Sequence, residues 1–228
     1  MENVVRVLST LALMGAVRSL AGRYQAETGV RIDADYAPTL GLLDRLRGDE
    51  AADVVILTRE GLDGLAGVGT VVADSRIDLA RSFVGIAVKA GDVHPDISTE
   101  STLRAALHGA RVAYSRIGAS GIFFAQLIER IGIASEVNAR ARIIPSGFTA
   151  ELLVSGEADL AVQQISELKQ VSGVEIVGPI PRDLQSPAVF SAGRLAASKR
   201  VAQSDALLKY LASPEVAPVL RESGLEPE

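Results

Sequence analysis

The 228-residue chain has no cysteine, no tryptophan and only two histidines, His94 and His108. A chain without thiols carries no disulfide scaffold, no thiolate nucleophile and no zinc site of the Cys/His kind, and the same lack argues against haem or iron–sulfur chemistry. Neither a metal nor a cofactor is expected. Positive charge is also scarce: 23 Lys and Arg stand against 28 Asp and Glu, a formal charge of −5. No basic run offers the footprint that nucleic acid wants. No uninterrupted apolar run reaches about 18 residues, so membrane insertion is not expected. The apolar stretch from Met1 to Val17 does not read as a signal peptide, because Glu2 opens it and Arg18 interrupts it before a small-residue cleavage site. As it stands the sequence suggests a cytoplasmic protein, or a periplasmic one if it is a mature chain.

What is present is enough apolar residue, 48%, for a sizeable core, with an ordinary 22% of charged residues. Short apolar runs at Val4–Leu8 and Val54–Leu57, and the alternation of polar and apolar residues at Arg31–Tyr36, read as strands. Between them Gly15–Glu27 has helical spacing closed by Gly29, and a second helix opens at Pro38 and Thr39, with Leu40, Leu43 and Leu46 down one side. This β-α-β-α-β rhythm specifies an α/β sheet. It resumes after a strand at Phe83–Val88, with helices at Thr99–His108, Gly121–Ile131 and Thr149–Ser155 and strands at Val112–Tyr114, Arg142–Ile144, Leu160–Gln163 and Val174–Val177. A strand at Ala188–Ala192 and helices at Val201–Ala212 and Pro214–Ser223 follow, the last capped by Ser213. With no linker composition anywhere, the expected lobes are residues 1–80 plus 190–228 and residues 84–185, with crossing strands near 81–83 and 184–189.

In open α/β sheets ligands bind beyond the carboxyl ends of strands, beside helix starts. Those positions here are Ser9 and Thr10, Pro38 and Thr39, Thr58 and Arg59, Ser115 and Arg116, Ser120 and Gly121, Ser146 and Gly147, and Gln163, Gln164, Ser166 and Glu167. A single Ser or Thr there is ordinarily an N-cap. The same equipment repeated in both halves suits an anion held by neutral donors and helix dipoles. Arg59 and Arg116 read as solvated charges, either of which could cover a ligand carboxylate. Both histidines read as plain surface residues, Tyr36 as core, and Asp53 as a structural hydrogen-bonding partner. Enzyme signatures are missing: no phosphate-binding Gly-x-x-x-x-Gly-Lys-Ser/Thr, and no Gly-x-Ser-x-Gly elbow. The glycine-dense stretch from Gly64 to Gly69 lacks the right spacing and a preceding strand, so it reads as a turn.

The order of several motifs resembles the molybdate-binding, type II periplasmic-binding-protein family. They are Val7-Leu8-Ser9-Thr10-Leu11, Thr28-Gly29, Tyr36-Ala37-Pro38-Thr39, Ala52-Asp53-Val54-Val55-Ile56-Leu57, Ala119-Ser120-Gly121-Ile122, Gly156-Glu157-Ala158-Asp159 and Ser213-Pro214-Glu215. The resemblance spans nearly the whole chain. It implies a two-lobed α/β fold that clamps a small anion, as a solute-binding protein with an ABC transporter permease as partner. It places ligand contacts at Thr39, Ser120 and Ser146. The family's first-loop serine falls on Ala12, leaving Ser9 or Thr10 to substitute, and its late tyrosine falls on Gln164. Those two departures favour an anion other than molybdate. The same branch resembles aconitate isomerases, which implies an alternative as an isomerase of an unsaturated tricarboxylate, with Glu167 as its base and Tyr36 a weaker choice. A third alternative is a cytoplasmic anion-sensing domain.

Overall fold

A computed structural model describes residues 3–48 and 50–228. Met1, Glu2 and Asp49 lie outside the described residues, and with them the reading of Glu2 at the head of the N-terminal run. The chain forms two compact units, residues 1–82 with 188–228, and residues 83–187.

The first unit opens with β1 (Val4–Thr10), α1 (Met14–Thr28), β2 (Arg31–Ala37), α2 (Thr39–Arg47), β3 (Val54–Thr58), α3 (Arg59–Gly67) and β4 (Ile77–Ser82). The second holds β5 (Val84–Lys89), α4 (Glu100–Leu107), β6 (Val112–Ser115), α5 (Ala119–Arg130), α6 (Ala134–Arg140), β7 (Arg142–Ile144), α7 (Glu151–Val154), β8 (Leu160–Gln164), α8 (Ile165–Leu168) and β9 (Val174–Pro179). The chain then returns to the first unit through β10 (Ala188–Arg194), α9 (Val201–Leu211), α10 (Ala217–Glu222) and β11 (Glu226–Pro227). Among the described residues no helix is long and apolar enough to cross a membrane.

The first unit's sheet runs β11-β4-β10-β3-β1-β2, with β1 parallel to both its neighbours and β10 antiparallel to β3 and β4. Side chains alternate across a strand, so Val5 and Val7 of β1 and Val54 and Ile56 of β3 pack under α1, α9 and α10. Leu8, Val55 and Leu57 face the other way, onto α2 and α3. A sheet covered on both faces needs no polar positions, which is why β3 is wholly buried. The second sheet runs β7-β6-β8-β5-β9. One face packs Ile86, Val112, Tyr114 and Val162 against α4, α5 and α6. Its other face is made of Ala87, Ala113 and Ala161, under Leu153 of α7 and Leu168 of α8.

Several local expectations are corrected. The stretch Gly64–Gly69 is a turn only at its end: β3 leads straight into α3, which runs on through Gly61, Gly64 and Gly67, and Val68 and Gly69 turn out of it. On α2 the buried leucines are Leu42 and Leu46, four apart, whereas Leu40 is exposed. A spacing of three repeated twice drifts around the cylinder, and a spacing of four does not. The helix expected at Thr149–Ser155 shortens to α7 because Gln163 Oε1 accepts both the N–H and the hydroxyl of Thr149. The last helix begins as a 3-10 turn at Pro214–Val216, where Ser213 makes no side-chain cap bond. Strand β4 and helix α6 went unread. β4 carries the first unit through Ser82 rather than to residue 80, and β10 enters it at Ala188 rather than 190.

Candidate functional site

In the first unit, β1 lies between β2 and β3, with Thr10 opposite Ala37 and Ser9 opposite both Tyr36 and Ile56. That register gathers the carboxyl ends of three parallel strands at one edge, where α2 and α3 begin. Ser9 and Thr10 are thus the last two residues of a strand, not a loop after it. The Ser9 hydroxyl donates to the Thr10 carbonyl at 3.0 Å, whereas the buried Thr10 Oγ1 has no partner. Thr39 is buried at the first position of α2, whose cap is Pro38, a residue with no side-chain acceptor to offer. Thr39 is therefore not an N-cap, and the α2 start keeps its amides uncapped by any side chain. Thr58 is a true cap: its Oγ1 accepts from Gly61 N–H at 3.3 Å.

The cation at this edge is already paired. Arg59 Nη2 lies 2.6 Å from Asp78 Oδ2 and 3.8 Å from a Glu228 carboxylate oxygen. Burial works against the Asp78 carboxylate, but the Ser191 hydroxyl and Arg59 outweigh it and hold the group below its ordinary value. Arg59 is not a cation awaiting a ligand. Tyr36 is half-buried beneath Arg18, 5.3 Å from the ring centre. Burial pushes its phenol up to about 12 against the pull of Arg18, which removes it as a base near neutrality. Asp53 is the structural partner expected, accepting from Arg6 N–H and from the Ser198 hydroxyl.

In the second unit, the central β6 pairs in parallel with β7 and β8. Its last residue, Ser115, meets the start of α5 across an approach that only glycine permits. A Cβ on Gly121 would fall 1.5 Å from the Ser115 carbonyl oxygen. The cap of α5 is Gly118, so Ser120, buried in the first turn, is not an N-cap either. Arg116 is exposed and touches Asn138 Oδ1 at 3.3 Å and the Tyr114 hydroxyl at 3.4 Å, with no carboxylate among the described residues. Ser146 is exposed in the loop after β7. Gln163 is consumed in shaping that loop, donating to the Gly147 carbonyl and holding Thr149.

Gln164, at the end of β8, is 1% exposed, yet both of its amide atoms lack a hydrogen-bond partner, as does the buried Ser166 hydroxyl. Glu167 is buried beside them, its Oε2 accepting from Gln164 N–H at 3.1 Å. Burial pushes its carboxyl up to about 7, with the Gln164 N–H and Ser120 pulling the other way. The histidines stand apart from all this: His94 is paired with Glu175 and His108 with Glu136, both at the surface. Among the described residues no cluster of His, Asp and Glu could hold a metal ion.

Five of the eight buried, unpartnered side-chain polar atoms among the described residues sit at strand ends or where the chain leaves the first unit: Thr10 Oγ1, Ser82 Oγ, both Gln164 amide atoms and Ser166 Oγ. Leaving such a group unpaired costs about 1–3 kcal/mol. Ser82 was missed, since a lone serine ending a strand whose pattern is broken by Asp78 and Arg81 carries no sequence signal.

The family model for bacterial extracellular solute-binding proteins matches residues 5–226. The aconitate isomerase of a Pseudomonas species is 39% identical over 232 residues, covering 99% of this chain and 88% of that protein. The periplasmic molybdate-binding protein of Azotobacter vinelandii superposes with a TM-score of 0.82 at 19% identity, over 97% of this chain and 98% of the other. The sulfate-binding protein of Mycobacterium tuberculosis gives 0.77 at 15% identity, over 99% and 87%. The match from the first strand to the last places this chain in the bacterial extracellular solute-binding protein family.

Proposed function

We propose that the chain binds a small anion through donors at the carboxyl ends of its parallel strands, Thr10 and Thr39 in the first unit, and Arg116, Ser120, Gly121, Ser146 and Gln164 in the second. The observation that carries this reading is the set of buried, unpartnered polar atoms beside two helix starts that no side chain caps. Such amides and the positive end of the helix dipole favour negative charge. The similar molybdate- and sulfate-binding proteins add support from relatives of the same fold. Arg116, free of any carboxylate, favours an organic polycarboxylate over a tetrahedral oxyanion, which neutral donors alone can satisfy. Thr58 and Ser9 drop from the ligand set, because their hydroxyls are engaged within the first unit.

Thermal-shift measurements with molybdate, tungstate, sulfate, citrate and both aconitates test the reading. A ligand at about 100 times its dissociation constant adds about 2.7 kcal/mol of stability. No shift with any of the six overturns it. Thr39→Ala and Ser120→Pro, the latter removing a backbone donor, test the two helix starts one by one: a variant that binds the same ligand with unchanged affinity removes that start from the ligand set. As a transport receptor the chain would act outside the cytoplasmic membrane, with an ABC permease as partner; as a sensor it would act inside. Fractionation of the native host separates the two.

A second reading, isomerisation of an unsaturated tricarboxylate, is favoured by one observation: a buried carboxyl, Glu167, titrating near 7 at the proposed site, in a chain 39% identical to an aconitate isomerase. In its ionised form Glu167 would take an allylic proton and return it one carbon pair away. Incubation with trans-aconitate followed by proton NMR decides it, appearance of the cis isomer supporting the enzyme.

A further inference from the structure

The second unit contains an acid where an anion is to be received, and that placement has a thermodynamic consequence. Glu167 lies in the one-turn helix α8, bonded to Gln164 N–H and facing Ser120 in the first turn of α5. Around it Gln164 and Ser166 are buried with unpartnered polar atoms. Among the described residues no cation is a cause of its shift. The elements packed most closely on α8 are β5, β8 and β9; α7 shares its apolar cluster and carries only the exposed Glu151, and α5 faces it through Ser120. β8 carries no titratable residue. β5 carries only Lys89 at its end, and β9 only Glu175, bonded to His94 and to Gly91 N–H. The charged residues of α5, Glu129 and Arg130, are in its last turn, at the other end from Ser120. None of these acts on Glu167, whose surroundings are burial, a backbone amide and a hydroxyl.

We propose that anion binding at the start of α5 is coupled to the uptake of one proton by Glu167. This rests on the anion-binding reading and extends it to the ligand's charge: the site accepts an anion together with a proton. Two negative charges sharing one buried site cannot both be tolerated, and the cheaper outcome is to neutralise the carboxylate. The proton comes from solvent and binds a Glu167 carboxylate oxygen; no bond to carbon forms or breaks. The neutral carboxyl then has an O–H to donate, and the Gln164 amide and Ser166 hydroxyl can complete the ligand's hydrogen bonds. The isomerase reading predicts the reverse, because a base must be ionised when substrate arrives.

The test is calorimetry on the full chain with trans-aconitate, citrate and molybdate as probes, at pH 8 in two buffers of different ionisation enthalpy. At least one probe is expected to bind with close to one proton taken up, and its affinity to fall about tenfold from pH 8 to pH 9. Glu167→Gln, uncharged and nearly the same shape, is expected to bind with no proton uptake and a flat pH profile. The proton count of the unaltered chain stands as a test even if the variant does not fold. Binding without proton uptake, or the same uptake in Glu167→Gln, overturns the inference and leaves the anion reading intact. Failure of these three and of the other three screened anions to bind overturns both.

Discussion

The second faces of the two sheets are built from different side chains. In the first unit Leu8, Val55 and Leu57 face Leu42, Leu46, Leu62 and Leu65 of two nine-residue helices. In the second, Ala87, Ala113 and Ala161 face Leu153 and Leu168 of two four-residue helices. A helix of one turn has no stability of its own, so α8 exists only because packing holds it. Small residues let it lie close. At Gly85 of β5 even a Cβ would come within 2.7 Å of Ile165. The close seat carries that single turn inward and buries Glu167. The first unit, with its larger side chains, keeps its polar edge supplied by hydroxyls and neutralises Arg59 internally. The difference shows how a choice of alanine over leucine in a sheet becomes a choice of chemistry at its edge.

The two helix starts offer the most drastic test of that contrast. Gly121→Ala would drive a methyl into the Ser115 carbonyl, so α5 has to leave β6, and the expected loss is above about 4 kcal/mol, in the range reserved for severe clashes. Gly41→Ala in α2 meets only Ala37 and Pro38 atoms at 3.8 Å or more, and gains about 1 kcal/mol of helix propensity. Urea midpoints of the two variants read both. Similar small effects from the two would mean that the α5 start is not fixed by this contact.

The next contrast is in pH. Glu167 titrates near 7 in the folded chain, against an ordinary 4.5. Between those values the folded state holds a proton that the unfolded state has released, so stability falls as pH rises through that window and levels off above it. The loss is about 3 kcal/mol, and Glu167→Gln abolishes it. Asp78 in the first unit, held below its ordinary value, works with the opposite sign and weakens the fold as pH drops to its titration. Denaturation profiles of Glu167→Gln and Asp78→Asn, each against the parent from pH 2 to 8, separate the two. Parallel profiles for parent and Glu167→Gln would show that the buried acid does not titrate in this window.

How far this could be read from sequence follows the same divide. Strands buried on both faces announce themselves, and Val54–Leu57 and Val112–Tyr114 stand where their apolar runs put them, each one residue longer. Gly29, at a φ of 70°, ends α1 as its position suggested. The strand-end positions were legible because sheet topology dictates them. What each hydroxyl does there was not. Thr58 and Thr39 look alike in sequence, each following a strand, yet one caps and the other does not, because the cap falls one residue earlier when proline precedes the helix. Likewise Gln163 and Gln164 are neighbours of one type on alternating sides of β8. One is consumed by the loop at Thr149 and the other has no partner. The state of Glu167 depends on burial by β5, β8 and β9, which no local pattern carries.

The cations sharpen the comparison at a smaller scale. Arg116→Ala is expected to weaken binding of a polycarboxylate by about 1.5–3 kcal/mol, the worth of a hydrogen bond to a charged group. Arg59→Ala should leave affinity within about twofold, because its guanidinium already faces Asp78 and Glu228. Calorimetric titration with citrate and trans-aconitate measures both. Equal effects from the two arginines would mean that internal pairing does not decide which cation is available.

The smallest effects divide two threonines of one unit by what they are bonded to. Thr58 Oγ1 accepts from Gly61 N–H, and Thr58→Ala is expected to cost about 1 kcal/mol of stability as a lost cap, with ligand affinity unchanged. Thr39 caps nothing, because Pro38 occupies the cap position, and its own N–H is among those left at the helix start. Thr39→Ala removes a hydroxyl with no cap bond to lose, and alanine is the better helix former, so stability should hold or rise by a few tenths of a kcal/mol. Affinity should drop by about 0.5–1.5 kcal/mol for a neutral bond to the anion. The pair thus predicts a crossed pattern, stability without affinity for one and affinity without stability for the other. Urea denaturation and calorimetry on the same two proteins reveal it. A Thr39→Ala that loses stability and keeps its affinity would assign that residue to the fold, and the first unit's edge would then rest on Thr10 alone.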